Sequence, residues 1–211
     1  MTNNCMRWAR WGLVLCATII AAGRSVRADT VNFDDLPGGT VVTNQYASQD
    51  ITFSSTNGEV IYVTTQPQYQ STPPNFICTG PAGGSIDCAG TVVINFATPV
   101  DGLQFDAVGN QNEIGTPFAQ ADIYENGVLT VQGLNLLVSQ GNFLPDHQNF
   151  SAYYDITEVV IFDNTDPAGT GYDTFSYSPV GTIPAPEPST LLLLGASLLA
   201  LGGRFKRRLI S

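Results

Sequence analysis

The sequence predicts an all-β fold for the middle of the chain, a two-sheet sandwich of the jelly-roll kind. Helical periodicity is almost absent between Asp29 and Ile183, where short alternating or apolar runs are separated by Gly, Pro, Asn and Asp. Such runs are typical of strands joined by turns. Nine or more short strands in one domain favour two packed sheets.

Alternation of apolar residues predicts strands at Thr91–Phe96 and Gly102–Val108, with every second side chain facing the core. Asn126 and Gly127 accept positive φ angles and predict a tight hairpin between two further runs. The other predicted strands are Thr30–Phe33, Ile51–Ser54, Val60–Thr64, Gln120–Tyr124, Val128–Gln132, Phe150–Tyr154, Glu158–Phe162 and Asp173–Tyr177.

The stretch Gln66–Gly84 is rich in Pro, Gly and Gln, and it predicts a long surface loop. Cys78 lies in this loop and Cys88 follows it, and in an exported protein such a pair is expected to form a disulfide. Closing so short a loop stabilises a fold by about 2.5–3 kcal/mol. Metal binding is the weaker alternative, because His147 is the only histidine.

Residues 1–28 have the pattern of a cleaved signal peptide. Arg7 and Arg10 precede an apolar run, and Val26-Arg27-Ala28 predicts cleavage after Ala28. A short core helix and a lipoprotein signal at Cys16 are the alternatives. The bulky Leu15 directly before that cysteine argues against the lipoprotein signal.

Residues 184–211 combine a Pro-rich segment, an apolar run and a basic end. A helix over Thr190–Phe205 would span about 24 Å, less than the roughly 30 Å of a hydrocarbon core. This short transmembrane helix suits transient insertion, with the cluster Arg204–Arg208 on the cytoplasmic side.

Pro186-Glu187-Pro188, the apolar run and the basic cluster resemble the PEP-CTERM sorting signal. The resemblance implies recognition by an exosortase, a membrane cysteine transpeptidase, and cleavage near the Pro-Glu-Pro motif. It also implies passage through the inner membrane to the cell surface or the extracellular matrix of a biofilm-forming bacterium. The chain then has three parts: a signal peptide at 1–28, a β-sandwich ectodomain at 29–183 and the sorting signal at 184–211.

Two passages of the ectodomain carry a further resemblance. The run that begins Asn32-Phe33-Asp34 and the run Tyr172–Tyr177 are similar to the opening and closing strands of PEP-CTERM ectodomains. Such domains resemble the galactose-binding-like sandwiches of carbohydrate-binding modules. The resemblance implies a fold and a structural Ca²⁺, and it does not by itself imply an activity.

The distribution of charge limits the partners of the ectodomain. All eight Lys and Arg residues lie at the two ends of the chain, and none lies between Asp29 and Gly203. All eighteen acidic residues except Glu187 lie between Asp29 and Ala185. Nucleic-acid binding is excluded for this domain, because phosphate contacts need cations.

A calcium site is predicted at Asp34, Asp35 and Asp173, where the first and last strands are expected to pair antiparallel. Three carboxylates without a nearby Lys or Arg repel one another, and a hard cation with oxygen ligands relieves that repulsion. The alternative is that these aspartates are turn and cap residues that bond local N–H groups.

The sequence predicts no catalytic residues and a structural or adhesive role at the cell surface. A Ser-His-Asp site would have to use His147, which more simply is a loop histidine. The alternative function is a carbohydrate-binding module acting on extracellular polysaccharide, with Tyr69, Tyr153 and Tyr154 as candidate aromatic contacts. A glycoside-active enzyme with paired carboxylates ranks third.

Overall fold

The computed structural model describes residues 28–181, apart from residues 57, 67–70, 110–111, 141–143, 163 and 167–168. Within these residues the fold is all-β, with a single turn of 3-10 helix at Ala47–Gln49. The strands are β1 Asp29–Val31, β2 Val41–Val42, β3 Ile51–Ser54, β4 Glu59–Thr64, β5 Phe76–Pro81, β6 Val92–Val108, β7 Pro117–Glu125, β8 Val128–Leu137, β9 Asp146–Asn149, β10 Ile156–Phe162 and β11 Gly171–Pro179.

The described strands form one large antiparallel network. Its main path runs β2-β4-β5-β11-β6-β10-β7-β8, while β1 pairs with β11 and both β3 and β9 pair with β6. The predicted all-β class is therefore confirmed. The finer jelly-roll assignment stays a prediction.

Strand β6 joins two predicted strands into one of 17 residues. Its first half pairs with β3 and β10, and its second half pairs with β9 and β11. The residues that separate the two predicted strands belong to β6, and the strand is distorted at Gly102, which has a φ of 64°. Glycine takes this conformation without steric cost, so the strand continues and exchanges its partners.

The core is built around phenylalanines from four separate strands or turns. Phe53 and Phe175 have ring centroids 5.3 Å apart, and Phe33 lies 5.3 Å from Phe53. Phe105 stacks on Phe175 at 5.3 Å. These side chains are buried, and each contributes about 1.5–3 kcal/mol of hydrophobic stabilisation.

The predicted inward faces of β6 are confirmed. Val92, Ile94 and Phe96 are buried, as are Leu103, Phe105 and Ala107 in the second half. The predicted hairpin is also confirmed: Asn126 and Gly127 have φ angles of 50° and 78° and join β7 to β8.

Two local predictions are wrong. The predicted surface loop Gln66–Gly84 contains β5, which is buried from Phe76 to Gly80 between β4 and β11. The predicted strand Phe150–Tyr154 is mostly a turn, closed by a 2.9 Å bond from the Tyr153 amide to the Phe150 carbonyl, and the strand lies just before it as β9. In both places tertiary pairing overrides local composition.

Residues Ala28–Gly181 form one compact unit. The predicted signal peptide, the predicted membrane helix, the sorting motif and Tyr69 lie outside the described residues. None of the helical structure in the described part of the chain is long and apolar enough to span a membrane.

Candidate functional site

Asp173 is the most buried of the three predicted calcium ligands and lies on β11, with no exposed surface. Its Oδ2 accepts hydrogen bonds from the backbone amides of Ser71 and Thr72 at 3.2 and 2.9 Å, and from their hydroxyls at 2.9 and 3.1 Å. Its Oδ1 accepts from the Thr174 amide at 2.7 Å. The carboxylate thus holds the loop that precedes β5.

Burial raises the pKa of Asp173 above its ordinary value of 3.8. The hydrogen bonds donated by Thr72, Ser71 and Thr174 act in the opposite direction, because they favour the charged form. With no Lys or Arg in the ectodomain to offset the loss of hydration, the effect of burial prevails.

Asp34 and Asp35 lie in the turn after β1. The Oδ1 atom of Asp34 accepts from the Asn75 amide at 3.1 Å, and its Oδ2 accepts from Asn32 Nδ2 at 2.8 Å. Asp35 accepts a hydrogen bond from the Tyr46 hydroxyl. Burial and this contact with Asp35 raise the pKa of the Tyr46 phenol.

The predicted antiparallel pairing of the first and last strands is confirmed, with Val31 opposite Phe175. The segment 71–75 bridges the two predicted ligand positions, contacting Asp173 at one end and Asp34 at the other. Within the described ranges, however, no three His, Cys, Asp or Glu side chains form a group that could hold a metal ion. Calcium binding by these aspartates therefore stays an untested hypothesis that rests on the sequence alone.

Cys78 and Cys88 are joined by a disulfide, with Cα atoms 4.5 Å apart. Cys78 lies on β5, and Cys88 lies in the loop that follows. The Cys88 carbonyl accepts hydrogen bonds from Asn164 Nδ2 and from the Thr170 amide, both at 2.9 Å. These bonds attach the disulfide-bonded loop to the segment before β11.

Gly169 is required at this attachment. Its φ is 77°, and a Cβ placed on it would lie 2.2 Å from the Asp87 carbonyl oxygen and 2.7 Å from Cys88 Cβ. A larger residue would therefore push the disulfide-bonded loop away from the segment before β11.

His147 lies on β9 rather than in a loop. Its Nδ1 is 3.0 Å from Asp106 Oδ1 on β6, and its side chain is 54% exposed. In the sheet register Asp106 stands opposite His147 on one side and opposite Asp173 on the other.

A groove of about 400 Å³ lies beside β7 and β8, and we call it the amide groove. It is lined by Pro117, Ala119, Gln120, Asn135, Asn164 and Thr165. Gln120 and Asn135 are directly opposed in the β7–β8 register, so their side chains share one face. Gln120 Nε2 lies 3.4 Å from Asn135 Oδ1.

The two described tyrosines named as candidate sugar contacts differ in exposure. Tyr154 is 62% exposed, and Tyr153 is partly buried with its ring 6.2 Å from that of Phe150. Neither lines the amide groove.

The comparisons with known proteins bear on the end of the chain. Residues 184–208 match the family model of the PEP-CTERM protein-sorting motif. The match contains Pro186, Glu187 and Pro188, and it supports classification of the chain as an exosortase substrate. It implies an exported protein that passes a membrane. No curated protein matches the chain.

Sequence reasoning missed the loop partners of Asp173 and the amide groove. Ser71 and Thr72 stand 102 and 101 residues before Asp173, and no local pattern connects them. Gln120 and Asn135 could have been paired from the hairpin at Asn126-Gly127, which fixes the β7–β8 register approximately.

Proposed function

We propose that this chain is an exported surface protein whose C-terminal segment is processed by an exosortase. Its ectodomain takes a non-catalytic structural or adhesive role at the cell surface or in the extracellular matrix. The observation that carries the proposal is the sorting-motif match at residues 184–208, which begins three positions after the compact unit ends at Gly181.

The chemistry of the ectodomain and that of the C-terminal segment both support this function. A disulfide between Cys78 and Cys88 suits an oxidising compartment outside the cytoplasm. Prolines 184, 186 and 188 oppose helix and sheet, which favours the extended backbone that a transpeptidase must reach. An acidic domain without Lys or Arg stays soluble through mutual repulsion.

The proposal is tested by replacing Pro186, Glu187 and Pro188 together with alanine in a host that carries the exosortase. The variant should remain in the inner-membrane fraction with its basic tail, whereas the parent protein leaves that fraction. Thr182→Ala, just before the matched residues, is the control and should behave as the parent. Equal release of the triple variant and the parent would disprove recognition through this motif.

Carbohydrate binding is the alternative function of the ectodomain. One specific observation favours it, the amide groove on the face of β7 and β8.

A further inference from the structure

We propose that the amide groove binds a neutral polysaccharide through Gln120 and Asn135. This inference rests on the alternative function above and is independent of sorting. The groove volume of about 400 Å³ lies within the roughly 300–1,000 Å³ of ligand pockets in proteins. It therefore admits a segment of one or two sugar rings.

The two amides have hydrogen-bonding capacity to spare for a ligand. A side-chain amide offers two N–H donors and a carbonyl acceptor. The long contact from Gln120 Nε2 to Asn135 Oδ1, at 3.4 Å, uses one donor and one acceptor site. Both N–H groups of Asn135 and the Oε1 atom of Gln120 can then serve a ligand. Adjacent hydroxyls of a sugar ring can accept hydrogen bonds from the Asn135 N–H groups and donate one to Gln120 Oε1.

The charge of the domain selects a neutral ligand. None of the six residues that line the groove is charged. The ectodomain has no Lys or Arg with which to pair a carboxylate or sulfate, and its many acidic residues repel an anionic polymer. A neutral glycan meets neither obstacle.

Apolar surface at one end of the groove suits the C–H face of a sugar ring. Pro117 lines the groove, and Leu137, its partner in the β7–β8 register, is 46% exposed. Protein ligand pockets combine such apolar surface with a few placed polar groups.

The opposite wall of the groove is held in place before any ligand arrives. Asn164 is fixed by its bond to the Cys88 carbonyl and by the Asp166 amide, which donates to its Oδ1 at 3.0 Å. The Thr165 amide donates to the Phe118 carbonyl at 2.7 Å. A wall ordered in advance lowers the entropic cost of binding.

An extended peptide is the competing ligand. A peptide would gain most by adding a strand along β8, the last strand of the sheet order, since main-chain hydrogen bonds carry that mode of binding. The amide groove lies on the face of β7 and β8 and offers side-chain groups, which favours the sugar.

Affinity electrophoresis of the full chain tests the proposal, with the protein purified in a detergent that has no sugar headgroup. The gels contain dextran, mannan, xylan or mixed-linkage β-glucan as neutral probes, and alginate as the anionic probe. We expect at least one neutral probe to retard the parent. Asn135→Ala and Gln120→Ala should each weaken that binding about three- to tenfold, the loss of one or two neutral hydrogen bonds.

Gln132→Ala is the matched control, an exposed amide on the same strand that does not line the groove, and it should bind within about twofold of the parent. Retardation by no neutral probe would overturn the proposal. So would equal binding by all variants, a preference for alginate, or displacement by a peptide of the β8 sequence. Binding is measured without any sorting step, so failure of the exosortase proposal leaves this result unchanged.

Discussion

The loops on the two sides of β5 are fixed by different chemistry. The loop before it, residues 71–75, is held by hydrogen bonds to the buried carboxylate of Asp173. The loop after it is held by the covalent bond between Cys78 and Cys88 and by bonds to the Cys88 carbonyl. The first attachment depends on the protonation and packing of one acid, and the second depends on the redox state of two sulfurs.

The comparison explains how a strand that ends in two residues with weak strand propensity is held in the sheet. β5 ends in Gly80-Pro81, and both residue types are depleted in strands. With both flanking loops anchored, β5 is nevertheless held between β4 and β11. Attachment of the two flanking loops therefore offsets the weak propensity at the end of β5.

The largest expected effect is that of Asp173→Ala, which we predict destabilises the ectodomain by about 4 kcal/mol. The substitution leaves the partly buried amides of Ser71, Thr72 and Thr174 without their acceptor, and a fully buried unsatisfied donor would cost about 1–3 kcal/mol. Urea unfolding followed by circular dichroism measures it. Asp87→Ala, in the exposed loop after β5, is the control and should stay within about 0.5 kcal/mol of the parent. If Asp173→Ala loses no more stability than Asp87→Ala, the Asp173 carboxylate does not hold the loop before β5.

Removal of the disulfide should have the next largest effect. We expect the Cys78→Ser, Cys88→Ser double variant to lose about 2.5–3 kcal/mol, because the unfolded chain regains the entropy of an open loop. Reduction of the parent should produce the same loss. Thiol labelling of the exported parent, denatured without reductant, should find no reactive thiols. Two labelled thiols per chain would contradict a disulfide between Cys78 and Cys88.

The dependence of stability on pH distinguishes the attachment through Asp173 from the attachment through the disulfide. Because burial raises the pKa of Asp173, the native state binds its proton more readily than the unfolded state does. The contribution of Asp173 to stability therefore increases as pH falls from the raised pKa toward 3.8, and it is lost as pH rises.

Asp173→Asn removes this titration. We expect the stability of the parent relative to this variant to increase between pH 7 and pH 4 in urea unfolding. The cysteine double variant should keep the slope of the parent. Parallel pH profiles for the parent and Asp173→Asn would show that Asp173 is not the titrating group.

The smallest expected effect is that of calcium. Hydrogen-bond donors already occupy both oxygens of Asp173, so we expect millimolar Ca²⁺ and a chelator to give thermal midpoints within about 1 °C. A clear rise with Ca²⁺ that Asp173→Ala abolishes would instead support the cation site predicted from the sequence.

The sequence predicted what local pattern determines. The alternation of apolar residues predicted which side chains of β6 are buried. The Asn126-Gly127 pair predicted the hairpin between β7 and β8. The sequence did not predict that Ser71 and Thr72 would surround Asp173, because such contacts depend on loop closure across about half the chain. The amide groove was missed for a similar reason, since no local pattern shows that β10 pairs with β7 and so brings Asn164, two residues after β10, beside Gln120.

The central claim, sorting through the C-terminal motif, is tested most directly by the intact mass of the protein extracted from the cell surface. The account predicts a chain that lacks residues 1–28 and the residues from about position 188 to Ser211, with two fewer hydrogens for the Cys78–Cys88 bond. A surface protein that still carries Arg204–Arg208 would contradict it.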